Sequence, residues 1–277
     1  MTDTVNVTLG NVQKTLFLPL WGRAHETLKE HPLLVDKTAV EIVKRVNYDL
    51  SAITNNMHEI TKFAWIVRSL LIDRVIRTFL HEHPRGTIVN VGCGLDTTFD
   101  RIDNGSCTWY DLDLPDVIKL RKNFIHQTER RKFIASSFLD EPWLEEIRFS
   151  EGLLFMAAGV LYYFEESQIR SFFVKLADKF PGSEFACDVS SPMGVRAANK
   201  MVIRASGLDE RSFLKWGVKS VSDITGWDPR ITLIKKYPYF KGMKNHLEPR
   251  FRFTALLSDV LKIQYLIHVK FSKAQSP

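Results

Sequence analysis

Residues 88–102, IVNVGCGLDTTFDRI, constrain this chain more than any other stretch. A β-branched apolar run ends on Gly92-Cys93-Gly94 and passes into a mixed polar and apolar segment. A run this short suits a strand buried on both faces. Paired glycines at its end mark a sharp turn where the backbone closely approaches a ligand or a packed helix. Strand, glycine turn and helix in that order predict a βα unit of an open sheet.

The flanking sequence extends this reading. Residues 12–83 read as helical. Ala39, Ile42, Val43 and Val46 share one face, and Phe63, Val67, Leu70, Leu71, Val75 and Phe79 recur at helical spacing. The helical stretch stops at the breaker cluster His83-Pro84-Arg85-Gly86. Strands are then expected at 88–91, 107–113, 132–138, 153–161 and 183–189. A helix opens at Pro115, and another over 165–180 carries Ile169, Phe172, Phe173, Leu176, Ala177 and Phe180 on one face. Residues 190–230 read as a polar helical insertion. Strands at 231–237 and 262–271 flank a helix at 251–261. Such alternation means right-handed crossovers and a mostly parallel α/β sheet.

The 277 residues, 45% hydrophobic and 25% charged, suffice for one large domain. We divide 1–277 into a helical lid (1–83), a ligand-binding core (84–190), a helical insertion (190–230) and C-terminal strands with a helix (231–277). The net charge is +6, but Lys and Arg are scattered, and Arg130-Arg131-Lys132 is too short for a nucleic-acid arm. Three distant cysteines without a CxxC fit a reducing compartment. The longest apolar run, 152–164, has 13 residues, too few to span a bilayer, and MTDTVNVTLG lacks the basic and apolar regions expected of a signal peptide. The expectation is a cytoplasmic protein with a small-molecule partner, neither nucleic-acid- nor membrane-bound.

The motifs narrow the chemistry. His81-Glu82-His83 lacks the i, i+4 spacing of a helical zinc pair, so no metal is expected. There is no G-x-S-x-G elbow and no P-loop. A dinucleotide turn needs a third glycine, where this chain has Thr97, and Asp96 would repel a pyrophosphate. An NAD(P)-dependent oxidoreductase is therefore the lesser reading. S-adenosylmethionine carries no phosphate and fits better. Its ribose needs a carboxylate at the end of the next strand, and Asp111 and Asp113 lie 17 and 19 residues beyond Gly94. Either could serve the ribose, or cap the Pro115 helix.

IVNVGCGLDTTFDRI, WYDLDLPDVIKLRK, FIASSFLD and FMAAGVLYYFEE occur in this order and at similar spacing in the leucine carboxyl methyltransferase family, which the chain resembles over most of its length. The likeness is to the bacterial branch, which resembles polyketide-pathway O-methyltransferases. The resemblance implies a Rossmann-like class I methyltransferase fold: a mostly parallel, seven-stranded sheet with helical N-terminal and inserted cap elements. It implies S-adenosylmethionine as methyl donor and S-adenosylhomocysteine as product. Carried over by position, Gly92 faces the methionine part, with Gly94 in the same cofactor-binding turn, Asp113 the ribose, and Ser137 and Phe138 the adenine. Arg68 matches the arginine that pairs with the cofactor carboxylate, and Arg23 a basic position of similar role. From the residues alone, Arg68 flanks an apolar helix face and could equally pair with a nearby acid.

One departure stands out. Many relatives read AEGVLMY after the fourth strand, whereas this chain reads AAGVLYY, with Ala158 in place of the acid. The expected activity is O-methylation of a carboxylate or hydroxyl on a small, aromatic or polyketide-like acceptor. Ala158 motivates a rival, cofactor binding without turnover. Trp216, Trp227, Tyr237, Tyr239 and Phe240 either fill a cap core or line the acceptor pocket. No residue is assigned as catalytic base. Tyr163 stands near the expected methyl position and could equally be a wall.

Overall fold

A computed structural model describes residues 5–6, 16–47, 57–204 and 212–273. Among these, seven strands form one sheet: β1 (Thr87–Val91), β2 (Thr108–Asp113), β3 (Arg131–Ala135), β4 (Leu153–Ala157), β5 (Glu184–Ser190), β6 (Ile231–Pro238) and β7 (Gln264–Phe271). Their order is β3-β2-β1-β4-β5-β7-β6. The first five run parallel, and β7 is antiparallel to both β5 and β6. The mostly parallel, seven-stranded expectation holds. Parts of the expected helical stretches, 12–15, 48–56 and 205–211, lie outside the described residues.

Period-two alternation sorts the buried strand residues onto two cores. Leu153, Phe155 and Ala157 of β4 join Val89, Val91, Phe172, Phe173 and Phe185 on one face. Leu154 and Met156 join Ile88, Val67, Leu71, Val75 and Ile76 on the other. That second face is covered by α3 (Glu59–Glu82), which follows α1 (Phe17–Thr27) and α2 (Lys37–Arg45). Asp36 caps α2, its Oδ1 accepting from the Ala39 amide at 2.9 Å. The connections are α4 (Thr98–Ile102), α5 (Pro115–Arg121) and α6 (Glu166–Lys179). A capping box between Glu165 and Gln168 starts α6.

Two strand expectations are shortened by turns at the same end of the sheet. β3 stops at Ala135, so Ser136, Ser137 and Phe138 lie beyond it. β4 stops at Ala157, because Gly159 adopts a positive φ of 82° and a 3-10 turn follows at Leu161–Tyr163. Among its described residues the insertion is only partly helical. It holds α7 (Pro192–Ala198), one π turn (Asn199–Ile203) and α8 (Val221–Thr225), with non-helical chain between 213 and 220. Helix α9 (Pro249–Val260) precedes β7. No helix among the described residues is long and apolar enough to cross a membrane.

Candidate active site

Strand order reverses between β1 and β4, where an open α/β sheet leaves a crevice beyond its carboxyl ends. The Gly92-Cys93-Gly94 turn sits there. Gly92 and Gly94 have φ of +65° and +47°, a region that side chains rarely enter. A Cβ on Gly92 would lie 2.6 Å from Val160 Cγ2, and one on Gly94 2.7 Å from Leu16 Cδ2. The turn borders a cavity of about 530 Å³. All seven residues singled out above line it: Arg23, Arg68, Gly92, Gly94, Asp113, Ser137 and Phe138.

The two candidate carboxylates have different work. Asp111 is fully buried, and both its oxygens are engaged. It accepts from Arg121 Nη2 (2.8 Å), Arg131 Nε (2.9 Å), Trp109 Nε1 (2.8 Å) and Asn90 Nδ2 (3.2 Å). It neither reaches a ligand nor caps α5. Arg121 in turn donates from Nη1 to the Gly94 carbonyl at 2.8 Å, so the Asp111 cluster braces the glycine turn. Asp113 faces the cavity. Its Oδ2 accepts from the Gly94 amide and its Oδ1 from the Leu114 amide, each at 2.7 Å. Burial pushes its carboxyl up to about 6, against the pull of those two amides and Arg121.

A third acid, Asp96, also lines the cavity. Burial would raise its pKa, but Arg23, Arg101 and Arg121 more than offset this and hold it below the usual range. It accepts from Asn90 Nδ2, the Thr98 amide and Thr98 Oγ1 at 3.0–3.2 Å. An ionised acid here disfavours a pyrophosphate and favours a cationic ligand.

Two arginines reach the same cavity. Arg68, on α3, shares Nη1 between Asp188 Oδ2 and the Tyr162 hydroxyl, both at 3.2 Å. Its Nε and Nη2 make no hydrogen bond among the described residues. Arg68 thus pairs with an acid and also faces the cavity. Arg23 is more fully committed. Its Nε donates to Asp36 at 2.9 Å, and its Nη2 to the Leu95 carbonyl at 3.2 Å. Arg101 also binds Asp36, at 2.8 Å, and grips Asp73 with two bonds of 2.9 Å. This network ties α1, α2 and α3 to the glycine turn.

Phe138 stacks edge-on against Phe164, with ring centroids 4.6 Å apart, and Ser137 Oγ accepts from the Leu139 amide at 3.2 Å. Much of the remaining lining is apolar. Ala197, Ala198, Met201 and Leu214 line the same cavity, as do Leu257 of α9, Leu261 just past it, and Thr254 and Ser258. Of the insertion-region aromatics, Phe240 alone lines the cavity. Trp216 and Trp227 pack together in the α6-side core, centroids 5.8 Å apart. Tyr239 is buried and donates to Asp188 Oδ2 at 3.3 Å, and Tyr237 packs against the α3-side core. These four are structural, so the pocket reading of them is corrected. Tyr163 does line the cavity. No cluster of metal-ligating side chains occurs among the described residues.

Sequence reading missed Asp188, Gly159 and the α9 wall. Asp188 did carry a signal, an acid at the carboxyl end of a buried strand.

Arg23, Arg68, Asp96 and Asp113 are the only charged side chains lining the cavity among the described residues. This set matches a ligand with one carboxylate, an ammonium, a sulfonium and a ribose, and the glycine cradle leaves room for its backbone-like portion. The residues therefore fit S-adenosylmethionine. A leucine carboxyl methyltransferase family model matches residues 17–177, more than half of the chain. The tetracenomycin polyketide synthesis O-methyltransferase TcmP of Streptomyces glaucescens is 29% identical over 223 residues, covering 79% of this chain and 78% of that protein. The S-adenosyl-L-methionine-dependent methyltransferase dpfgK of Gibberella zeae is 26% identical over 195 residues, 65% of each chain. A DUF574 family protein of Streptomyces avermitilis shares the fold, with a TM-score of 0.55 over 92% of this chain and 96% of that one at 10% identity. On the match that runs from α1 through the glycine turn into α6, the chain belongs to the leucine carboxyl methyltransferase family and is an S-adenosylmethionine-dependent methyltransferase.

Proposed function

We propose that the chain methylates an oxygen, carboxylate or hydroxyl, of a small apolar acceptor of aromatic or polyketide-like character. The observation that carries this reading is that one cavity is lined both by the charged set Arg23, Arg68, Asp96 and Asp113 and by an apolar set from α7 to α9. TcmP, a polyketide O-methyltransferase by name, supports the acceptor class. The cofactor supplies an electrophilic methyl on sulfur. In this reading Asp113 takes the ribose, Ser137 and Phe138 the adenine, Gly92 and Gly94 the methionine backbone, and Arg68 its carboxylate. Arg23 contributes mainly by holding α1 and α2 against the turn. Residues 1–83 act as the lid and 190–230 as the cap over the core. The apolar wall from α7 to α9 orients the acceptor and keeps water from the transferring methyl. A carboxylate acceptor arrives ionised and needs no base, whereas a phenol, with a pKa near 10, must lose its proton.

The test is incubation with S-adenosylmethionine and a panel of aromatic and polycyclic acids and phenols, with mass detection of the methylated product. Methyl ester or methyl ether formation supports the reading. S-adenosylhomocysteine formation that no oxygen acceptor stimulates contradicts it.

Asp113 gives the site a pH signature. A carboxyl with a free-protein value near 6 gains a proton as pH falls below 6. Ribose hydroxyls donate best to the ionised form, so cofactor binding must displace that proton. Affinity for S-adenosylhomocysteine is expected to be flat above pH 7 and to fall by up to roughly tenfold per pH unit below 6. In Asp113→Asn the fall should vanish, with weaker binding throughout. Calorimetric titration at several pH values checks this, and parallel profiles for the two proteins would refute the assignment.

A further inference from the structure

We propose that Asp188 is a positioning residue for the reaction: it fixes the Arg68 guanidinium and the Gly159 turn so that Arg68 presents its free edge to the cofactor's carboxylate. This rests on the assignment of the cavity's charged lining to the cofactor. Asp188 is 1% exposed and does not itself line the cavity, so it acts through its partners. Its Oδ1 accepts from the Gly159 amide at 2.7 Å. Its Oδ2 accepts from Arg68 Nη1 at 3.2 Å and from the Tyr239 hydroxyl at 3.3 Å. One carboxylate on β5 therefore joins α3, the turn after β4 and the segment after β6.

Gly159 makes this junction tight. Its φ is +82°, and a Cβ there would lie 2.6 Å from Arg68 Nη1 and 3.1 Å from Cζ and Nη2. The bare backbone packs against the guanidinium, and Asp188 holds both. With Nη1 spent on Asp188 and Tyr162, Nε and Nη2 are the groups left for a ligand. Position 158, which lines the cavity, is alanine, so the acid that organises this end comes from the neighbouring strand.

Electrostatics and geometry predict opposite results, which makes the idea testable. Removing the Asp188 charge leaves Arg68 more positive and would tighten carboxylate binding if attraction alone mattered. Loss of positioning weakens it. The probes are S-adenosylhomocysteine and 5′-methylthioadenosine, which keeps the adenosine and sulfur but lacks the amino-acid part. In Asp188→Asn, affinity for S-adenosylhomocysteine should fall about tenfold, the scale of one charged hydrogen bond, while that for methylthioadenosine stays within about twofold. A merely structural role would lower both together. Thermal melting reports whether the variant folds. If it does not, Asp188→Glu, which keeps the charge but displaces it by one methylene, should show the same selective loss. An unchanged or increased preference for S-adenosylhomocysteine in the folded variant overturns the proposal. Failure of the wild-type protein to bind S-adenosylhomocysteine would instead overturn the cofactor assignment beneath it.

Discussion

Asp111→Ala is expected to cost roughly 3–5 kcal/mol of folding stability, the cost of removing one partner from a buried ion pair. Two arginines depend on this carboxylate, at 2.8 Å and 2.9 Å, and both are buried. Without it both lose their shared ion-pair partner, leaving Arg131 its partly exposed contact with Asp100 at 3.2 Å and Arg121 only the less direct charges of Asp96 and Asp113. A domain with a typical stability of about 5–15 kcal/mol could lose much of it through this one change. The damage should also reach the site, because Arg121 holds the Gly94 carbonyl. Urea unfolding of the two proteins measures the loss. A cost below about 1 kcal/mol, in the range of an exposed ion pair, would contradict the bracing role given to Asp111.

Gly92→Ala is expected to be nearly as damaging and to act on the cofactor turn directly. A side chain at a φ of +65° costs about 1–2 kcal/mol. Its Cβ would also lie 2.6 Å and 2.7 Å from the two methyls of Val160. Val160 is β-branched and stiff at χ1, so it has little room to turn away. Overpacking of this kind adds about 1–3 kcal/mol. The two costs separate in a double mutant. Adding Val160→Ala should recover the overlap cost and leave the backbone cost, so stability returns only in part. Cofactor affinity, read by calorimetry, should fall in the single mutant. Full recovery in the double mutant would show that the turn tolerates a side chain, and wild-type behaviour of the single mutant would show that the turn is not close-packed.

What the sequence made legible was local. A strand, two glycines, an acid at the end of the next strand and a serine-phenylalanine pair after the third are each set by a few neighbouring residues. The fold brings all of them to one cavity, because parallel strands place their carboxyl ends side by side. The choice between Asp111 and Asp113 was not legible from spacing. Both lie on β2 in positions two residues apart and so point to the same face. What separates them is Arg121 and Arg131, which reach Asp111 from α5 and β3. Asp188 was obscured in the same way, since its partners come from positions 68, 159 and 239. The aromatics after residue 210 invited a pocket reading through their clustering in sequence. In space Trp216 and Trp227 extend the α6 core, and apolar lining of the cavity comes instead from small and aliphatic residues of α7 and α9 that no motif announces.

The cavity beyond β1 and β4 is proposed to hold S-adenosylmethionine with Asp113 on the ribose. Calorimetric titration of S-adenosylhomocysteine into the wild-type protein and Asp113→Ala tests it most directly. One-to-one binding to the wild type is expected, with a loss of roughly 1.5–3 kcal/mol in the variant, the value of hydrogen bonds to a charged group. No binding to the wild type, or equal affinity in a folded Asp113→Ala, would contradict it.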